Sequence, residues 1–366
     1  MKRRRFAVLL PGTLLAHKAF ADDNGCDAPA GDGGIDRAAL CRMADRLAAT
    51  ANIHAVLVAR GGKLVFERYF RGPDEIQSRR VGPVAFDADT LHDMKSVSKA
   101  VASLAIGIAI DRGLIKGVDQ PLFSFFPELA DLATPDKDRL RLVHALTMTM
   151  GLRWVEATPE TGDEDNDEAR MHRSADPCRF VLGLPATQPP GQSFFYNTGA
   201  LTLLSAIVRK ATGQPLDDFA RSALLEPLGI TDAPWVRVKG DTDAGGGLRL
   251  RPRDMVKLGQ LVLAGGQWQG RQIVSKAWIE ESTTAKTVAS STYSYGYLWW
   301  LGRSSFNDRV LPWPAALGRG GQSIRIVPAL DLVVAVTAGY YQDYSKPAFE
   351  LQASVFRDIL QAVAAS

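Results

Sequence analysis

A serine and a lysine stand three residues apart in Met94-Lys95-Ser96-Val97-Ser98-Lys99-Ala100, and an apolar run of small and branched residues follows from Ala100 to Ile110. In a helix, residues three apart share a face. The hydroxyl of Ser96 and the ammonium of Lys99 are therefore expected side by side in the first turn. A lysine buried beside a serine can give up its proton and act as the base that activates the hydroxyl. The partial positive charge of a helix N-terminus suits an oxyanion formed at that serine. Ser96 is thus the candidate nucleophile and Lys99 its proton acceptor. About one SxxK pair is expected by chance in a chain with this many Ser and Lys residues, so the assignment depends on what other segments bring to it.

Two further stretches can supply the missing groups. Pro190-Gly191-Gln192-Ser193-Phe194-Phe195-Tyr196-Asn197-Thr198-Gly199 precedes an apolar helix. A tyrosine at a helix head can relay a proton between Ser96, Lys99 and a leaving group; the plainer alternative is a tyrosine packed on a loop. Leu317-Gly318-Arg319-Gly320-Gly321-Gln322 leads into a strand. Glycines such as Gly320 and Gly321 let a substrate approach a strand edge. The backbone N–H of Gln322 is expected to complete an oxyanion hole with that of Ser96, and Arg319 can orient a carboxylate or an amide carbonyl. The alternative is a glycine turn before a strand.

Other designs find less support. The chain has no GxSxG elbow. Outside the N-terminal segment its histidines are His54, His92, His144 and His172, with no HExxH spacing. Spacing leaves a Ser–His–Asp triad open, with His92 the histidine nearest Ser96, and nothing local points to one. The acidic run Asp163–Glu168 resembles a calcium loop faintly. Glu168 occupies the position of the sharp-turn glycine and Ser174 that of the bidentate acid, so the run reads as a solvated loop. Without a CxxC pair among Cys26, Cys41 and Cys178, no thiolate metal site is indicated.

With 366 residues, 46% of them hydrophobic and 23% charged, the chain can bury one large core or two closely packed lobes. Lys2-Arg3-Arg4-Arg5, a short apolar run and Ala19-Phe20-Ala21 read as a secretory signal over residues 1–21, loosely of twin-arginine type. The expected location is secreted or periplasmic, without stable membrane insertion after cleavage. Removing five basic and no acidic side chains takes the formal charge from +3 to about −2. No basic stripe remains, so a nucleic-acid partner is not expected. Export permits a disulfide; Cys26 and Cys41 are close enough in sequence to pair, and three unpaired thiols are the alternative. Oligomeric state leaves no mark in the sequence.

After a flexible lead over 22–35, a helix capped by Asp36 runs to about Ala49, and runs around Gly61-Gly62 make a hairpin. Residues 72–90 read as loop, and the Ser96 helix ends near Gly113. Helices follow at Arg141–Met150, Phe180–Leu184, Leu201–Thr212 and Leu216–Leu225, then at Arg253–Ala264 and Lys276–Glu281. Tyr295–Trp300 reads as a strand, Ser323–Thr337 as a second hairpin and 346–363 as a closing helix. Strands at both ends and helices between them imply an α/β fold: an antiparallel sheet flanked by helices on both faces, with an inserted helical lobe. The catalytic domain is 36–366, its α/β lobe 36–118 and 245–366, its helical lobe 119–244. Trp235, Trp299, Trp300 and Trp313 are candidate pocket aromatics, with core packing as the default. In a strand Trp299 and Trp300 alternate faces, so at most one of them points at substrate.

The order of these motifs, SxxK opening a helix, a tyrosine after Pro-Gly and a glycine-rich strand start, resembles the serine β-lactamase and penicillin-binding-protein superfamily. It is most similar to class C β-lactamase-like esterases and 6-aminohexanoate-dimer hydrolases. Ser96–Lys99, Pro190–Gly199, Glu226–Gly229, Gly318–Gln322 and Asp331–Val334 carry the resemblance, which spans about residues 50 to 360. It implies a β-lactamase/transpeptidase-like fold and a covalent acyl-enzyme on Ser96. Lys99 and Tyr196 move the proton, and neither a metal nor an organic cofactor is required. The substrate would be a small molecule or short peptide carrying an ester or amide. Weak β-lactamase or D-alanyl carboxypeptidase activity is the alternative within enzymes; a non-catalytic sensor or scaffold is the alternative outside them. Two substrate-facing positions depart from the pattern: Thr198 stands where relatives often carry Asn, and Arg319 where they carry Lys or His. Arg319 cannot titrate.

Overall fold

The computed structural model describes Cys26 and residues 34–50, 52–156, 165–341 and 346–364. The expected signal over 1–21 and most of the lead over 22–35 lie outside the described residues.

β1 (Ile53–Arg60) and β2 (Lys63–Tyr69) form the hairpin expected around Gly61-Gly62, whose φ angles of 58° and 72° are open to glycine at no steric cost. A second hairpin, β3 (Arg71–Ile76) and β4 (Arg79–Ala85), stands apart from the main sheet. β5 (Thr287–Val288), β6 (Ser294–Tyr295), β7 (Trp300–Phe306), β8 (Arg309–Gly318), β9 (Gln322–Val327) and β10 (Leu332–Ala338) come from the last third of the chain. The main antiparallel sheet has eight strands in the order β5-β6-β7-β8-β9-β10-β1-β2. The first hairpin therefore zips onto the last strand, with Val56 opposite Val336 and Val58 opposite Val334.

Both faces of this sheet are covered, which is why β1 and β10 are apolar at nearly every position. Ala55, Leu57, Ala59, Val333 and Ala335 enter one core with α2 (Ser98–Asp111) and α8 (Pro252–Leu263). Val56, Val58, Val334 and Val336 enter a second core beneath α1 (Arg37–Thr50) and α10 (Lys346–Ala364). On α8, Gly259 allows the close approach, since a Cβ there would lie 2.4 Å from Val333. The described residues of 119–244 add no strand to the main sheet and carry α3 (Leu142–Leu146), α4 (Asp167–Arg173), α5 (Pro177–Gly183), α6 (Gly199–Thr212) and α7 (Leu216–Ala220). α9 (Lys276–Ser282) follows α8. Every residue of α2 from Ser98 to Ala109 is buried. A helix apolar on all sides must be enclosed on all sides, and α2 runs between the sheet and the helices of the insertion.

Several local expectations need correction. Residues 72–85 are not a loop, and only 86–90 of that stretch remain one: β3 and β4 turn through Gln77 and Ser78, at φ 50° and 66°. That two-residue turn needs left-handed backbone, normally signalled by Asn-Gly, and Pro73 and Pro83 further mask the strands. Tyr295–Trp300 is not one strand. The chain turns at Gly296–Trp299, Leu298 takes φ 66°, and its N–H bonds to the Leu146 carbonyl 3.0 Å away. Arg141–Met150 shortens to α3 because Met148 adopts φ 58°. The described part of the acidic run is not a solvated loop. Asn166 caps α4 by accepting from the Glu168 and Ala169 N–H groups, and Asp167 is buried, accepting from the Val155 N–H at 2.8 Å. Cys26 and Cys41 are disulfide-bonded, while Cys178 is a free thiol pushed up to about 12 by burial.

His54 and His92 are buried in a stack with Phe86, at ring-centroid distances of 3.8 and 4.8 Å from it. Neither ring nitrogen of His92 has a hydrogen-bond partner among the described residues, which gives it no role as a base for Ser96. Burial lowers His54 to about 4 and His92 well below its ordinary value, with His54 and Arg249 adding to the second shift. As pH falls below about 6.5 the unfolded chain takes up both protons before the folded protein does, so stability declines with acidification. Between pH 7 and pH 5 the melting temperature should fall. His92→Phe keeps the ring stack and should flatten that decline in thermal melts; an identical pH slope would refute the assignment.

Candidate active site

The turn carrying Ser96 is held from three directions. Lys95–Val97 form a 3-10 turn that feeds into α2, so Ser96 and Lys99 sit on successive turns at the foot of that helix. Lys95 has φ 49°, a left-handed conformation that costs a non-glycine residue on the order of 1 kcal/mol. Its Nζ lies 3.2 Å from the Asp93 carboxylate, and the Met94 N–H bonds to the Leu248 carbonyl at 2.9 Å. From the third side comes Gly318 at the end of β8. A Cβ there would lie 2.5 Å from the Met94 carbonyl oxygen and 3.3 Å from the Ser96 nitrogen, so only glycine permits the approach.

Three predicted residues meet in space. The Tyr196 hydroxyl donates to Ser96 Oγ at 2.8 Å, and Lys99 Nζ lies 2.9 Å from the same oxygen. Lys99 Nζ also donates to the Gly245 carbonyl at 2.8 Å and stands 5.0 Å from the Tyr196 ring centre. The lysine is 2% exposed, and among the described residues no carboxylate lies within ion-pair distance of it. Desolvation therefore dominates and lowers the Lys99 pKa, although the more distant Glu156, Glu168 and Asp243 oppose it. Desolvation also raises the Tyr196 pKa, and Glu156 raises it further. Both shifts favour the neutral forms, an amine beside a phenol. The amine can take the serine proton, and the phenol has one to give.

Tyr196 is positioned by its neighbours in sequence and by the sheet. The Phe195 N–H bonds to the Met148 carbonyl at 2.8 Å, and the Tyr196 ring stacks on Trp300 with centres 5.9 Å apart. Trp300 lines the cavity, whereas Trp235, Trp299 and Trp313 are buried core residues.

The cavity above Ser96 has a volume of about 450 Å³. Thr198, Arg319, Gly320 and Gly321 all line it. Thr198 does so with its hydroxyl already donated to Glu156 at 2.7 Å. Gln322 needs correction. The chain reverses within Arg319-Gly320-Gly321, whose glycines take φ 88° and 101°, and Gln322 is then already the first residue of β9, paired with Gly318. It is fully buried, does not border the cavity and gives its side-chain amide to the Ala338 carbonyl. The backbone beside the Ser96 nitrogen is that of Gly318.

Sequence reasoning missed Glu156, Glu168 and the Gly245 carbonyl. Glu156 and Glu168 line the cavity on its helical side. Burial raises Glu168 to about 7; the Glu156 charge adds to the rise, and Lys99 opposes it. No spacing rule marks either residue.

The sequence model of the Beta-lactamase family matches residues 44–347. A 6-aminohexanoate-dimer hydrolase of Paenarthrobacter ureafaciens is 25% identical over 326 residues, 84% of this chain and 78% of the relative. Esterase EstB of Burkholderia gladioli is 29% identical over 187 residues, 49% of this chain and 46% of the esterase. Among solved structures, EstCE1, a hydrolase with promiscuous acyltransferase activity, superimposes with a TM-score of 0.69 at 16% identity, covering 87% of this chain and 98% of that one. At that identity the likeness shows the fold alone.

A buried Lys99 acting as a base requires its neutral form. Hydrolysis should therefore rise with pH through an ionisation below the ordinary lysine range. A kcat/KM profile against pH checks this. An acid limb at the value of a free lysine would remove Lys99 as the resting base.

Proposed function

The chain belongs to the β-lactamase family, and from that premise we propose that it is an exported serine hydrolase cleaving an ester or amide of a small or peptide-like substrate through an acyl-enzyme on Ser96. The observation that carries this reading is the double contact at Ser96 Oγ, with Tyr196 at 2.8 Å and Lys99 at 2.9 Å, on the floor of a cavity. The curated relatives include a 6-aminohexanoate-dimer hydrolase and an esterase by name, which supports hydrolysis of this bond class. The Cys26–Cys41 disulfide supports export, since such bonds persist in oxidising compartments.

In the proposed reaction Ser96 Oγ attacks the substrate carbonyl carbon while its proton passes to the Lys99 amine. The carbonyl oxygen becomes an oxyanion facing the Ser96 N–H, with the second donor supplied by the β8 strand end at Gly318–Arg319. Collapse of the tetrahedral intermediate breaks the bond to the alcohol or amine. Tyr196 protonates the leaving group and is itself reprotonated from Lys99. Water then attacks the acyl-serine ester by the reverse relay, releasing the acid and restoring Ser96. Arg319 orients the substrate from the cavity wall as a fixed positive charge.

Ser96→Ala should abolish turnover of a p-nitrophenyl ester and labelling by a fluorophosphonate; wild-type rates in that variant would overturn the nucleophile. Tyr196→Phe should lower kcat by about two to four powers of ten, and an unchanged kcat would take the tyrosine out of the relay. Parallel rates on esters, ω-amino-acid amides, D-Ala peptides and β-lactams identify the substrate class.

A further inference from the structure

Glu156 is the carboxylate that organises the tyrosine side of the site. Its Oε2 accepts from the Trp154 indole N–H at 2.9 Å and from the Thr198 backbone N–H at 2.9 Å, and its Oε1 accepts from the Thr198 hydroxyl at 2.7 Å. Thr198 immediately precedes α6 but makes no side-chain cap of its own. Asn197 Oδ1 accepts the Ala200 N–H of the first turn at 3.3 Å, and the Glu156 carboxylate takes the Thr198 N–H from another segment, where negative charge also suits the helix N-terminus. The fit around it is tight. A Cβ on Gly199 would lie 2.7 Å from the Trp154 ring. A Cβ on Gly245 would lie 2.5 Å from the Thr198 methyl and 3.8 Å from Lys99 Nζ. Thr198 thus turns its hydroxyl to Glu156 and its methyl to Gly245, whose carbonyl receives Lys99.

Resting on the reading of Ser96, Lys99 and Tyr196 as hydrolytic machinery, we propose that Glu156 is a positioning residue, fixing Thr198 and through it both Tyr196 and the Gly245 carbonyl that receives Lys99. The charged and titratable groups around Lys99 are Tyr196 before α6, Glu156, Glu168 on α4, Asp243 before Gly245, and Lys95 and Arg319 on the cavity wall. Among the charges acting on Lys99, Glu156 is the largest, and it favours the protonated lysine.

Replacing Glu156 by glutamine keeps the size, removes the charge and leaves one Thr198 donor without an acceptor. Lys99 then releases its proton at lower pH. In Glu156→Gln the acid limb of the kcat/KM profile should move down by about one pH unit, and kcat at its plateau should fall about 10- to 100-fold, with KM for a small p-nitrophenyl ester little changed. Glu156→Asp keeps the charge and should hold the limb near its original position. Thr198→Val keeps the methyl group and the Glu156 charge, and should lower kcat without moving the limb. A residue that mattered only for folding would change the amount of active enzyme, which active-site titration with fluorophosphonate measures, and not the limb. A Glu156→Gln enzyme with the wild-type limb and kcat overturns the inference. Should that variant fail to fold, wild-type kcat in Thr198→Val overturns it instead. Ser96→Ala stands apart from both: activity there refutes the hydrolase reading itself, whatever Glu156 does.

Discussion

A lysine amine enclosed in protein, with a serine oxygen and a backbone carbonyl as its hydrogen-bond partners, is the constraint on which the molecule turns. Burying a charged ammonium without a paired carboxylate costs several kcal/mol, and the neutral amine relieves that cost. The enclosure that lowers the proton affinity of Lys99, and so favours an amine free to take the serine proton, requires the foot of α2 to be covered on every side. This explains why Ser98 to Ala109 are all buried. The sheet supplies one cover and the helical insertion the other.

The same requirement places strain at the seams. Lys95 and Met148 both hold left-handed backbone without being glycine. The first lies next to the nucleophile. The second presents the carbonyl that binds the Phe195 N–H, one residue from Tyr196. Where side chains would prevent contact, glycines stand instead, with Gly318 against the Ser96 turn and Gly245 against Thr198. The serine, the tyrosine and the strand end come from three separate segments, and the backbone geometry at these positions lets Tyr196 reach the Ser96 oxygen while Gly318 closes on the backbone of the same turn.

The cavity is also polarised. Glu156 and Glu168 stand on the helical side, and Lys95 and Arg319 on the other. Trp300 and Tyr293 make an aromatic wall, with Trp300 stacked on Tyr196. A proton moving between Lys99 and Tyr196 therefore moves in a field set mainly by carboxylates that neither residue touches through an ion pair. That separation lets burial lower the lysine pKa while the carboxylates moderate the shift.

Much of this was legible in the residues themselves. The spacing of Ser96 and Lys99, the hairpins turning at Gly61-Gly62 and at Pro328–Asp331, the apolar α2 and the division of strands from helices are local patterns, written by periodicity and turn chemistry over a few residues at a time. Tyr196 and Thr198 could be named because they share one short motif, and Arg319 because it lies in another. Tertiary structure decided the rest. The Gly245 carbonyl that receives Lys99 lies 146 residues away and has no side chain to announce it. Glu156 and Glu168 are ordinary acids until packing turns them towards one lysine. Gln322 was misplaced because the tight reversal at Gly320-Gly321 puts it inside the sheet, and Gly318 became the neighbour of Ser96 only through the approach of two backbones. Local sequence determines which groups are available and which elements carry them, because helix and strand periods are short-range. Which groups meet, and with what proton affinity, depends on desolvation and long-range contact, and those exist only once the chain has packed.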